Sequence, residues 1–192
     1  MLTQLITVKT RLGLSEFEVK DDAILTNAIK AISARFDREC NRTLARTVDA
    51  TQEFDANDTE IVAECYPIES VSKFELKLNE GAGWEEQPGV EHLIRRHCVI
   101  SLPSPLGSRT EGRVTYTGGY VLPGTSAGSG QTALPDDLEQ AAVEQVVYWY
   151  QNRDRLGVIR EWPKGGVYEQ FVDLDLLPGV RAVLARHERW RV

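Results

Sequence analysis

Between residues 21 and 41 the chain reads DDAILTNAIKAISARFDRECN, and Leu25, Ile29, Ile32, Phe36 and Cys40 recur at steps of four, three, four and four. That spacing puts all five side chains on one stripe of an α-helix and on no single face of a strand. A helix of about 20 residues is about 30 Å long, so this stretch is a structural spine. Asp21 or Asp22 opens it and it ends near Asn41. Its far side carries Lys30, Arg35 and Arg38, which reads as a solvated face or as a contact between subunits.

Three further helices follow from local signals. Thr7 is the expected N-cap of a short run closed by Gly13. Pro135 opens a helix to about residue 153, with Asp136, Asp137 and Glu139 in its first turn, where the helix dipole favours negative charge. Its apolar positions are Leu138, Ala142, Val146, Trp149 and Tyr150, and Gly157 is the expected stop. Pro178 opens a last helix to about residue 188, with Val180, Val183, Leu184 and His187 on one side. Between these two, residues 158–176 are irregular and aromatic, with Trp162, Tyr168 and Phe171.

Residues 44–120 lack helical periodicity. Alternation predicts strands at 45–54, 59–65, 70–78, 97–102 and 112–117. SVSKFELKL alternates with one slip near Lys73, NEGAG reads as a hairpin turn, and LPSPLGSRTEG, with two prolines, as a loop. The expected architecture is α+β: a helical bundle core from the helices near 21–41, 135–153 and 178–188, with a small antiparallel β region inserted at about 44–120. A C-terminal arm covers about 158–192, and residues 1–192 form a single domain.

RVTYTGGYVLPG, residues 113–124, poses a chemical question. A phosphate cradle needs backbone N–H groups converging on a helix N-terminus, with a cation nearby. Here the polar loop GTSAGSGQTA separates the glycines from a helix that opens with two aspartates, so Gly118 and Gly119 read as a turn at the sheet edge. The other chemistry-bearing groups are scattered. His92, His97 and His187 have no ligand spacing, and no GxSxG occurs. DATQEFDANDTE lacks the EF-hand spacing. The expectation is no catalytic residue, no metal and no cofactor.

Cys40, Cys65 and Cys98 form no CxxC and are odd in number, which reads as three thiols in a reducing compartment. No apolar run reaches membrane-spanning length, and MLTQLITVKTRLG does not read as a secretory signal. The net charge of −7 argues against a general nucleic-acid binder. Residues 181–192 carry +3 and the remainder −10. That basic end reads either as an arm for an acidic partner surface or as cations complementing a helix C-terminus.

The order of these segments carries a resemblance. LITVKTRLGL precedes DDAILTNAIKAISARFDRECNR, then YPIESVSKFE, RVTYTGGYVLPG, LPDDLEQAAVEQVVYWYQNRDRLG and DLLPGVRAVLARHERWRV. In this sequence of motifs the chain resembles the head–tail connector (adaptor, head-completion) proteins of tailed bacteriophages. RVTYTGGY followed by WYQNR is the most specific part, and the resemblance spans nearly the whole chain. The β region is larger than in the shortest, mostly helical members. The resemblance implies a non-enzymatic virion protein at the neck, made in the host bacterial cytoplasm. It implies a homo-oligomeric ring, commonly of twelve subunits, below the portal protein. The ring joins the portal to a stopper or tail-joining protein, and packaged DNA passes through its lumen without specific binding. The residues expected at interfaces are Trp149, Tyr150 and Arg153, with Arg181, Arg186, Arg189, Trp190 and Arg191 in the tail. The alternatives are a tail-completion or stopper protein one ring lower, a small packaging-associated hydrolase or nuclease, and a regulatory DNA-binding protein.

Overall fold

The computed structural model describes residues 1–79, 81, 83–108, 110–153 and 175–189. Gly157, Trp162, Tyr168, Phe171, Trp190 and Arg191 lie outside them, as does most of the expected C-terminal arm. The chain divides into two compact units. Met1–Phe36 and Pro135–His187 make the first, Asp37–Leu134 and Glu188–Val192 the second.

The first unit is helical. Helix α1 (Leu5–Leu12) starts earlier than the Thr7 cap predicts, with Val8 N–H donating to Gln4 O at 3.2 Å, and Gly13 closes it in the left-handed conformation (φ 71°). Helix α2 (Asp22–Glu39) buries the predicted stripe: Leu25, Ile29, Ile32 and Phe36 are all inside, each contributing about 1.5–3 kcal/mol. Helix α3 (Asp136–Gln151) packs against both α1 and α4 (Pro178–His187). It buries Leu138, Ala142 and Val146, while Val180 and Leu184 are the buried residues of α4. A buried amide fixes the approach to α4. Gln145 accepts from Leu177 N–H at 2.8 Å and donates to Asp175 O at 3.4 Å. An amide with both ends satisfied belongs inside a core; one left unpaired would cost about 1–3 kcal/mol.

The second unit is built on strands. One antiparallel sheet has the order β1 (Thr47–Asp55), β7 (Glu111–Gly118), β3 (Ile68–Lys77), β4 (Glu85–Gln87). Another has the order β2 (Glu60–Val62), β6 (Val99–Ser101), β5 (Leu93–Arg95), also antiparallel. Ile61 and Ile100 from the smaller sheet pack with Ile68, Phe74, Val114 and Tyr116 from the larger one in a single apolar cluster. The slip near Lys73 is a β-bulge: Val71 opposes Tyr116, but Phe74 opposes Val114. One extra residue on β3 lets Val71 and Phe74, three apart, meet the same core.

The expectation of a helical bundle core with an inserted β region does not hold. Among the described residues about 32% are helix and 28% strand, and the strands enclose a core of their own, so the core is not a helical bundle. Helical stripes announce themselves locally over 18 residues. Strands β4, β5 and β6 are three residues each, too short for alternation to register, and the core they complete exists only once the sheets face each other.

Gly118 and Gly119 mark a crossing of backbones. A Cβ on Gly118 would lie 2.4 Å from Cys65 O and 2.9 Å from Pro67 O; one on Gly119 would lie 2.6 Å from Ala45 O. Gly119 also has φ 99°, which L side chains avoid. Beyond the pair the chain re-enters a strand, β8 (Tyr120–Val121), parallel to β9 (Thr132–Ala133). The loop expected at 124–133 therefore ends in regular structure. The glycines let three segments touch, which answers the question their sequence posed.

The outer face of the larger sheet is charged. Glu75, 6% exposed, accepts from Arg113 Nε at 2.9 Å and from Lys73 Nζ at 3.1 Å, while the Arg113 guanidinium lies 4.3 Å from the Trp84 ring centre. Burial pushes the Glu75 pKa up, but the hydrogen bonds from Lys73 and Arg113 outweigh it and hold the carboxyl below its ordinary range.

Two outcomes are expected. Gly118→Ala and Gly119→Ala each lower the urea-unfolding free energy by about 2–3 kcal/mol, because backbone rather than a flexible side chain must yield; a loss under about 0.5 kcal/mol at both positions contradicts the crossing. The folded-state pKa of Glu75 is depressed. Its contribution is therefore complete above the ordinary glutamate pKa and lost as pH falls through the lowered value. Glu75→Gln is less stable than the parent at neutral pH, and the difference shrinks as pH falls through that lowered value. Urea midpoints across that fall in pH measure it.

Candidate assembly interface

The C-terminal end of α3 gathers three of the expected interface residues. Tyr150 and Trp149 are half-buried and Arg153 is exposed. Tyr150 Oη donates to Asp21 Oδ2 at 2.5 Å, tying the end of α3 to the start of α2. That hydrogen bond raises the Tyr150 pKa, and burial adds to it. Arg153 folds back over its own helix end. Its Nη1 donates to Tyr150 O at 2.9 Å, and its guanidinium stands 4.4 Å from the Tyr150 ring centre. Cations at a helix C-terminus satisfy carbonyls left without intrahelical donors. The Trp149 indole N–H is buried and has no partner among the described residues.

Among the described tail arginines, Arg181 and Arg189 are each paired within their own unit. Arg181 pairs with Asp175, which Arg35 also approaches at 3.5 Å. The Arg181 hydrogen bond holds the Asp175 carboxyl below its ordinary range. Arg189 belongs to the second unit. Its Nη1 donates to Glu64 at 3.2 Å, its Nη2 to Val62 O at 2.6 Å and its backbone N–H to Cys40 O at 2.8 Å. Arg186 is exposed at the end of α4. His187, also in that last turn, lies 3.1 Å from Asp137 in the first turn of α3, so opposite helix ends carry opposite side chains.

Sequence reasoning missed Arg42. It is 5% exposed, its guanidinium 3.2 Å from the Tyr66 ring centre and 5.2 Å from that of Tyr120, and it donates to Tyr66 O. A cation stacked on aromatic faces offsets part of its lost hydration. Nothing local in NRTLAR announces this, because Tyr66 and Tyr120 are distant in sequence. Also missed was Phe17, inside the stretch SEFEVKDD, which reads as polar; its side chain is 83% exposed.

Chemistry is sparse at these surfaces. Cys40, Cys65 and Cys98 are buried thiols, and burial pushes the Cys40 thiol up to about 12, far from a reactive thiolate. Among the described residues no group of three His, Cys, Asp or Glu could hold a metal ion, and no helix is long and apolar enough to cross a membrane.

No family model and no curated protein matches the sequence. Solved structures do match in fold. A chain in the neck of an empty gene transfer agent particle, computed with C6 symmetry, is similar with a TM-score of 0.60 at 16% identity, covering 98% of this chain and 90% of that one. A chain in the virion of the native gene transfer agent particle is similar with a TM-score of 0.58 at 16% identity, with the same coverage. The resemblance to head–tail connectors carried by the sequence motifs thus has a counterpart in three dimensions: over nearly its whole length, this chain has the fold of a chain from the neck of a phage-like particle.

Proposed function

We propose that this chain is a structural, non-enzymatic component of a virion neck. The observation that carries the reading is the fold match over 98% of the chain to a neck chain of the gene transfer agent particle. Two further observations support it. The order of motifs from LITVKTRLGL to DLLPGVRAVLARHERWRV resembles head–tail connectors, and the side chains described above are spent on packing and ion pairs. The whole of 1–192 acts as one connector.

On this reading the protein forms a homo-oligomeric ring. The C6 symmetry applied to the gene transfer agent neck supports a six-fold arrangement, and a dodecamer is compatible with it. The ring sits between the portal protein and a stopper or tail-joining protein, after synthesis in the bacterial cytoplasm. The net charge of −7 suits a lumen through which packaged DNA slides, because an acidic wall gains nothing from counterion release. The exposed cation in α4 available to an acidic partner is Arg186; Arg181 and Arg189 are engaged within the fold, so loss of residues 181–192 removes part of α4 as well as charge.

The decisive measurement is the copy number in purified particles, by quantitative mass spectrometry against the portal protein. The expected ratio is near one to one. Absence from particles sinks the reading. Binding of the purified portal places the ring at adaptor level. Binding only to a preassembled portal–adaptor complex places it one ring lower.

A further inference from the structure

The link between α1 and α2, residues 15–20, is an ordered turn that presents bare apolar side chains. Phe17 is 83% exposed and Val19 72%. The backbone beneath them is fixed. Phe17 N–H donates to Ser15 Oγ at 3.3 Å, Glu18 N–H to Ser15 O at 3.1 Å and Asp22 N–H to Val19 O at 3.2 Å. From below, Lys9 Nζ donates to Glu16 O at 3.0 Å and Asp22 Oδ1 at 2.8 Å, with its side chain only 3% exposed. Burying an ammonium is costly unless it is paired. Here the pairing fixes a turn whose exposed apolar content is Phe17 and Val19, flanked by Glu16 and Glu18. An aromatic anchor on a pre-ordered backbone loses little freedom on docking.

The same unit carries a groove that such a knob fits. It has a volume of about 420 Å³ and is lined by Ile6, Thr7, Thr10 and Arg11 of α1 with Gln140 and Val143 of α3. Ile6 is 43% exposed there. At 3.6 residues per turn, the α1 residues of the groove are centred about a third of a turn round the helix from Lys9. Phe17 is 83% exposed and is not among the residues lining the groove, so it does not cover the groove of its own chain. Arg11 on the groove is opposite in charge to Glu16 and Glu18 beside the knob.

We infer that Phe17 and Val19 of one copy seat in the α1–α3 groove of a second copy of this chain, with Glu16 and Glu18 against Arg11. The contact joins two different surfaces of the same chain, so it is head-to-tail and propagates until rotation closes a ring. Closure rests on the neck reading; the contact itself does not.

Sedimentation velocity on the full chain tests it. Phe17→Asp removes the knob and leaves the groove; Ile6→Asp spoils the groove and leaves the knob. The expected result is an oligomer for the parent, monomers for each variant alone, and a one-to-one dimer that grows no further when the two are mixed. Arg11→Glu separates contact from folding: it also gives monomers, and adding Glu16→Lys and Glu18→Lys restores the oligomer. The inference is overturned if Phe17→Asp assembles like the parent, if the mixed variants do not pair, or if the parent stays monomeric at about 1 mM. None of these results removes the protein from particles. Conversely, absence from particles with a knob-dependent oligomer intact would sink the neck reading alone.

Discussion

The second unit depends on one hydroxyl. Tyr116, fully buried on the central strand β7, accepts the backbone N–H groups of Glu64 and Cys65 at 3.0 Å each and donates to Gln52 Oε1 at 3.2 Å. Gln52 in turn accepts from Glu64 N–H at 2.9 Å and donates to Val62 O at 2.9 Å. The link between β2 and β3 cannot satisfy its own backbone groups, and buried groups left unpaired are costly. Tyr116 and Gln52 supply the partners, so the link packs inside. With it there, Cys65 O and Pro67 O press on Gly118, and no Cβ fits at that position.

Both neighbours of β7 bend around this point. On β1, Thr47 opposes Gly118 but Ala50 opposes Tyr116, with Asp49 between them at φ 52°. On β3 the register shifts on either side of Val71, which itself opposes Tyr116. A bulge adds a residue and increases local twist. Two strands bulging beside one position of a third is what a large side chain and an incoming loop require of a sheet that must stay paired on both sides.

The parts legible in the sequence are those whose cause is local. The α2 stripe is set by spacing alone, and all its members are buried. The slip at Lys73 is visible because Val71 and Phe74 break a period of two, and it is a bulge. Pro135 and Pro178 open helices because a fixed φ and a missing N–H cost nothing at a first turn. What failed to show has distant causes. The sheet core joins Ile61 and Ile100 to Val114 and Tyr116, and no period in 44–120 encodes which faces meet. Thr7 was a plausible cap by residue type, yet the helix begins at Leu5. Arg189 looked like a free cation because Glu64, its partner, lies 125 residues away.

Among the candidate interface residues the limit was different. Tail composition counts charges but does not say which are already spent. Arg181 and Arg189 are held by Asp175 and Glu64, and an arginine in a hydrogen-bonded pair must be released before it can bind a partner, at a cost comparable to what the new pair returns. Phe17 is the reverse case. Its neighbours Glu16, Glu18 and Lys20 make the stretch look solvated, and a single aromatic among charges is usually unremarkable on a surface. The structure changes its meaning through Lys9, whose own sequence position gives no hint of burial. A side chain that is costly to bury holds the turn beneath an aromatic that gains from burial. Within a lone subunit the first term is met and the second is not, and that imbalance is what a contact with another chain corrects.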